Sequence, residues 1–61
     1  MTRVERHLKM MNDIAKGKPP KVAKKFKIAV LTDYIENPLK EMTAEEIDLF
    51  RKALEEVKRE A

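Results

Sequence analysis

The sequence predicts an all-α domain, a small three-helix bundle that either stands alone or is completed as a homodimer. Apolar residues recur at helical spacing in three segments, Gly and Pro punctuate the stretches between them, and capping signals open the first and third segments. With 61 residues the chain is one domain.

Helix 1 is expected over 3–16. Thr2 and Glu5 fit a capping box, in which the hydroxyl serves the first turn and the carboxylate reaches back. Val4, Leu8, Met11 and Ala15 form one helical stripe, and His7, Met10 and Ile14 widen it on one side. Gly17 is placed to end the helix as a left-handed cap. Pro19 and Pro20 then break the chain. Pro20 suits the first position of a new helix, where its missing N–H would be unpaired anyway.

Helix 2 is expected over 20–36, with Pro38 ending it. Its wheel carries two apolar faces. Val22, Phe26, Ala29, Val30 and Tyr34 form one, and Ile28, Leu31 and Ile35 form the other. A helix apolar on more than one side is central or shared with a second chain. Ile28, Leu31 and Ile35 are therefore candidate protein-interface residues, with Leu49 of helix 3 as an addition. Two alternatives stay open. The apolar run 26–31 also fits a strand paired with its own copy in a dimer. Asp33 with Glu36 fits the cap of a separate last turn, which would kink the helix near Thr32.

Helix 3 is expected over 44–60. Thr43 and Glu46 make a capping box, and Met42 and Ile47 sit at the staple positions around it. Ile47, Phe50, Leu54 and Val57 form the stripe, with Leu49 and Ala53 on its flanks. Asp48–Lys52 and Glu55–Arg59 are acid-then-base pairs four residues apart, the favourable order.

Composition bounds the rest. A chain this short buries only about 60% of its unfolded surface, so small domains usually need a staple. There is no Cys, which excludes a disulfide and a thiolate metal site. The single His7 has Arg3 and Met11 at its helical neighbours, so it has no metal partner, and it reads as a packing residue at the core edge. Self-association or a larger protein partner remains. Abundant Lys and Glu, with no Ser, Gln or Trp, resemble the composition of thermophile proteins. No apolar run is long enough to span a membrane and no signal peptide is visible, so a cytoplasmic location is expected. The apolar faces of helices 1 and 3 are expected to satisfy each other, leaving none for a membrane surface.

Charge is unevenly spread. Residues 1–40 carry a balance of +6 and residues 41–61 a balance of −3. Between Asp13 and Asp33 there is no acid, and that stretch holds Lys16, Lys18, Lys21, Lys24, Lys25 and Lys27. Lys21, Lys24 and Lys25 fall in the opening turns of helix 2, where the helix dipole favours negative charge. Helix 2 also starts on Pro, with no Ser, Thr or Asp to cap it. Free N–H groups, a positive dipole end and flanking lysines describe an anion site, and a DNA or RNA phosphate backbone is the natural partner. The bland alternative is a solvated lysine-rich loop. Within the segment there is no Arg, Asn or Gln to read bases, so contact would be sequence-independent and salt-dependent. The joint lacks the tight turn of a helix-turn-helix.

Catalysis is not expected. There is no Ser or Cys nucleophile for His7 to activate, and the single Gly excludes a glycine-rich phosphate loop. No cofactor is implied. The expected function is a small intracellular accessory or regulatory protein that contacts nucleic acid through the lysine-rich joint. The competing class is a protein–protein interaction module or a small subunit of a larger assembly.

Overall fold

The computed structural model describes residues 2–60. Three helices follow in order, α1 (Arg3–Ala15), α2 (Pro20–Glu36) and α3 (Ala44–Arg59). Among the described residues there is no strand, so the apolar run 26–31 is helical. The helix is also continuous through Thr32. Asp33 does not cap a new turn; its carboxylate accepts from the Asn37 side chain at 3.3 Å. The first and third helices each end one residue earlier than expected, within the fraying of any helix end.

The helices run up, down and up. The start of α1 meets the start of α3 through Arg3 and Glu46, and the start of α2 meets the end of α3 through Lys24 and Glu60. α2 packs more extensively on α3 than α1 packs on either. The buried core takes Val4, Met11 and Ala15 from α1, Leu31 from α2, and Phe50 and Val57 from α3. Phe50 and Leu31 are the largest side chains with no solvent exposure. Burying a side chain of that size contributes about 1.5–3 kcal/mol. These residues meet because the apolar stripes on α1 and α3 have helical period, as the spacing requires.

Three rings cross the bundle, one from each helix. Tyr34 stacks on Phe50 with centroids 4.7 Å apart. His7 meets the Tyr34 ring edge-on at 5.2 Å, and its Nδ1 lies 3.0 Å from the Tyr34 hydroxyl. His7 is thus the half-buried core-edge residue that its place in the stripe implied.

Caps behave differently at each helix start. At α3 the capping box is complete: Glu46 N donates to the Thr43 hydroxyl at 3.2 Å, and Thr43 N donates to the Glu46 carboxylate at 3.0 Å. At α1 only the hydroxyl arm forms, with Glu5 N donating to Thr2 Oγ1 at 3.2 Å. At α2 Pro19 stands at the cap with no side-chain hydrogen bond. Asp48–Lys52 forms an ion pair at 3.5 Å, and Glu55–Arg59 does not reach that distance.

Glu46 does more than cap. Arg3 Nε and Nη2 donate to its two carboxylate oxygens at 3.0 and 2.8 Å, a bidentate pair. Arg3 also donates to the carbonyls of Lys40 and Glu41 at 3.4 and 3.3 Å. The Arg3 hydrogen bonds, aided by the Thr43 N–H and opposed by partial desolvation, hold the Glu46 carboxyl down at about 2.

Gly17 is not the left-handed cap that its position suggested. No glycine has positive φ; α1 closes with right-handed Lys16, Gly17 N donating to the Ile14 carbonyl at 3.2 Å. The left-handed residue is Glu41, with φ of 65°, in the turn before α3. Such a conformation costs a residue with a Cβ about 1 kcal/mol.

Two predictions follow from these contacts. A carboxylate with a depressed folded-state pKa stabilises above its unfolded pKa and loses that contribution as pH falls through its folded value. Thermal melts should therefore weaken between pH 4.5, the ordinary value, and about 2, and Glu46→Gln should flatten that part of the curve. Separately, Gly17→Ala should stabilise by about 0.4–1 kcal/mol, because a Cβ there meets only the Ile14 carbonyl oxygen at 3.7 Å. Glu41→Gly should gain a similar amount by relieving the left-handed backbone, of order 0.5–1 kcal/mol. Urea melts of both single variants check this pair.

Candidate functional site

The six lysines of the acid-free stretch sit in different settings. Lys24 and Lys27 turn toward the end of α3. Lys24 Nζ donates to the Glu60 carbonyl at 2.6 Å, and Lys27 Nζ lies 3.6 Å from the Glu60 carboxylate. These two cations are spent on joining α2 to α3. Lys16 is exposed and sits 4.0 Å from Asp13, at the limit of an ion pair.

Lys18, Lys21 and Lys25 have no acidic partner among the described residues. Lys18 reaches over the Phe26 ring, its Nζ 5.2 Å from the centroid. A cation held on a ring face gains about 0.5–1 kcal/mol at an exposed site and keeps its charge outward. Lys21 and Lys25 are exposed on the first turns of α2. That helix start has no acid and no side-chain cap. The antiparallel run of α2 and α3 also brings Lys58 and Arg59, in the last turn of α3, to this end of the bundle. Their separation in sequence hid them, and only the chain's path back along α2 reveals the association.

Lys16 and Lys27 have a second setting. With Lys9 they edge an open cleft of about 730 Å³ between α1 and α2, floored by Leu8, Ala15 and Ala23. Glu5 and Asp13 stand on the same rim. The mixed sign gives the cleft no convergent anion chemistry. Among the described residues no group of acids and histidines is placed to hold a metal ion, and no helix is long and apolar enough to cross a membrane.

The proposed interface residues also separate. Leu31 is fully buried in the core of the chain itself, so it offers nothing to a partner. Ile28 and Ile35 pack half-buried against the same core. This face of α2 looks surplus when α2 is read alone, and α3 is what covers it. Leu49 is 47% exposed at the edge of the α3 stripe. The uncovered apolar surface lies elsewhere. Met10 is 60% exposed, and Ile14 and Val22 are 49% exposed each. The flank of the α1 stripe is therefore not satisfied by α3, contrary to the expectation of mutual coverage. Met10 and Ile14 line a shallow 130 Å³ groove with Phe26 and Val30 of α2.

Substitutions separate core from surface here. Leu31→Ala should cost about 2–5 kcal/mol, as expected for a fully buried Leu. Leu49→Ala should cost far less, and urea denaturation followed by circular dichroism compares the two. Against known proteins, no family matches this chain, and neither a curated protein nor a solved structure does.

Proposed function

We propose that this chain is a small accessory protein that contacts nucleic-acid backbones through its basic end. The observation that carries the reading is the start of α2, where Lys18, Lys21 and Lys25 have no acidic partner among the described residues, beside an uncapped turn. Backbone N–H groups at a helix start and flanking cations both favour phosphate. Lys16 on one side, and Lys58 and Arg59 across α3, extend the positive charge. Lys24 and Lys27 are engaged with Glu60 and act in the fold instead.

The chemistry would be phosphate neutralisation with release of counterions. Lysine is a point charge on a flexible stem and does not select a base. Duplex DNA, single strands and RNA would then differ by charge density more than by sequence.

Fluorescence anisotropy with a generic DNA duplex and an RNA of equal length, over a salt series, tests this. Binding should weaken steeply with salt. The Lys18→Ala, Lys21→Ala double variant should flatten the log–log slope by roughly 0.9 for each lost phosphate contact. Lys52→Ala, whose ammonium pairs with Asp48 at 3.5 Å, should bind as the parent does. No binding at low salt to either polymer would overturn the reading and leave a protein-binding module as the alternative.

A further inference from the structure

We infer that the exposed apolar face formed by α1 and α2 is covered by a second copy of this chain, with the two α2 helices antiparallel and crossing at Ala29. The face carries Met10 and Ile14 from α1, and Val22, Phe26, Ala29 and Val30 from α2. The pattern of charge along α2 selects the occupant. Helical geometry puts Val22, Lys25, Ala29, Asp33 and Glu36 within one exposed arc of α2, because positions three, four and seven apart share a face.

Along that arc the charge changes sign midway. Lys21 and Lys25 lie on the N-terminal side of Ala29, and Asp33 and Glu36 lie on the C-terminal side. Lys25 and Asp33 are each four residues from Ala29. An antiparallel crossing at Ala29 therefore sets Lys25 of each copy opposite Asp33 of the other, twice by symmetry. Lys21 comes within a turn of Glu36 of the second copy in the same arrangement. A two-fold contact requires a surface complementary to itself, and this arc meets that condition. Ala29 at the crossing lets the backbones approach closely.

The available charges support the same pairing. Neither Lys25 nor Asp33 forms an ion pair within its own chain among the described residues. Asp33 accepts only the Asn37 side-chain N–H, in an exposed bond. Both are free to pair across an interface without giving up a contact that folds the monomer. A chain of this size has a small core, and covering Met10, Ile14 and Val22 adds apolar burial that the single copy lacks. In this dimer Lys25 and Lys21 face acids of the second copy, which leaves Lys16, Lys18, Lys58 and Arg59 for phosphate. Dimerisation is read without nucleic acid, so its failure is distinguishable from failure of the proposed function.

Charge reversal with rescue tests it. Sedimentation equilibrium over micromolar to millimolar concentrations, without nucleic acid, should show a dimer for the parent chain. Lys25→Glu alone, or Asp33→Lys alone, should weaken dimerisation by roughly tenfold or more, since each places two like-charge pairs in contact. The double variant Lys25→Glu, Asp33→Lys restores opposite charges across the two-fold and should recover most of the parent affinity. Circular dichroism of each variant should show unchanged helix content, because both residues are exposed and neither forms an ion pair within the fold among the described residues. A parent chain that stays monomeric throughout would overturn the pairing and leave the face to a different protein. A dimer indifferent to the single reversals, or one the double variant fails to restore, would overturn it as well.

Discussion

Three rings, one from each helix, set the registry of the bundle. Phe50 is fully enclosed, Tyr34 lies flat against it, and His7 closes the series edge-on with a hydrogen bond to the tyrosine hydroxyl. Stacked and edge-to-face rings have directional preferences, unlike aliphatic contacts. Sliding one helix by a turn would separate the pairs and strand the hydroxyl. The apolar stripes supply most of the driving force, and the rings decide which positions of each helix face one another. Everything else, including which lysines reach the end of α3, follows from that registry.

The two ends of the bundle are finished in opposite ways. At one end the Glu46 carboxylate serves the cap of α3 and the guanidinium of Arg3 together, and Arg3 also fastens the turn through two carbonyls. At the other end α2 begins on proline without a cap, among cations that its dipole disfavours. Lys24 and Lys27 offset part of this by binding the end of α3. The rest of the charge stays outward. A stable fold would gain by acids at those positions, as α3 has at its own start with Glu45 and Glu46.

Legibility in the sequence follows the range of the interactions. The three helices and the capping box of α3 were readable because they depend on residues within a few positions of one another. The registry was not. Ile28, Leu31 and Ile35 look surplus on α2 alone, and the presence of α3 over them is a long-range fact. Met10 and Ile14 look like core because they flank a clean stripe, yet no other helix covers them fully. Gly17 resembles a cap by position, while the positive φ falls at Glu41, a residue type that gives no hint of it. The lysine cluster was visible as composition. Its division into engaged and free members depends on where α3 ends.

The clamp between Arg3 and Glu46 joins residues 43 positions apart. α2 and α3, by contrast, pack on each other more extensively than α1 packs on either. An element held by less packing opens at lower free energy. On that ground α1 is the helix expected to open before the α2–α3 pair. Amides of α1 should then exchange faster than those of α2 and α3, and the Arg3–Glu46 clamp is a contact that holds the start of α1 to α3. Met10 and Ile14 of the exposed apolar face lie on α1, so opening of that helix dismantles the face.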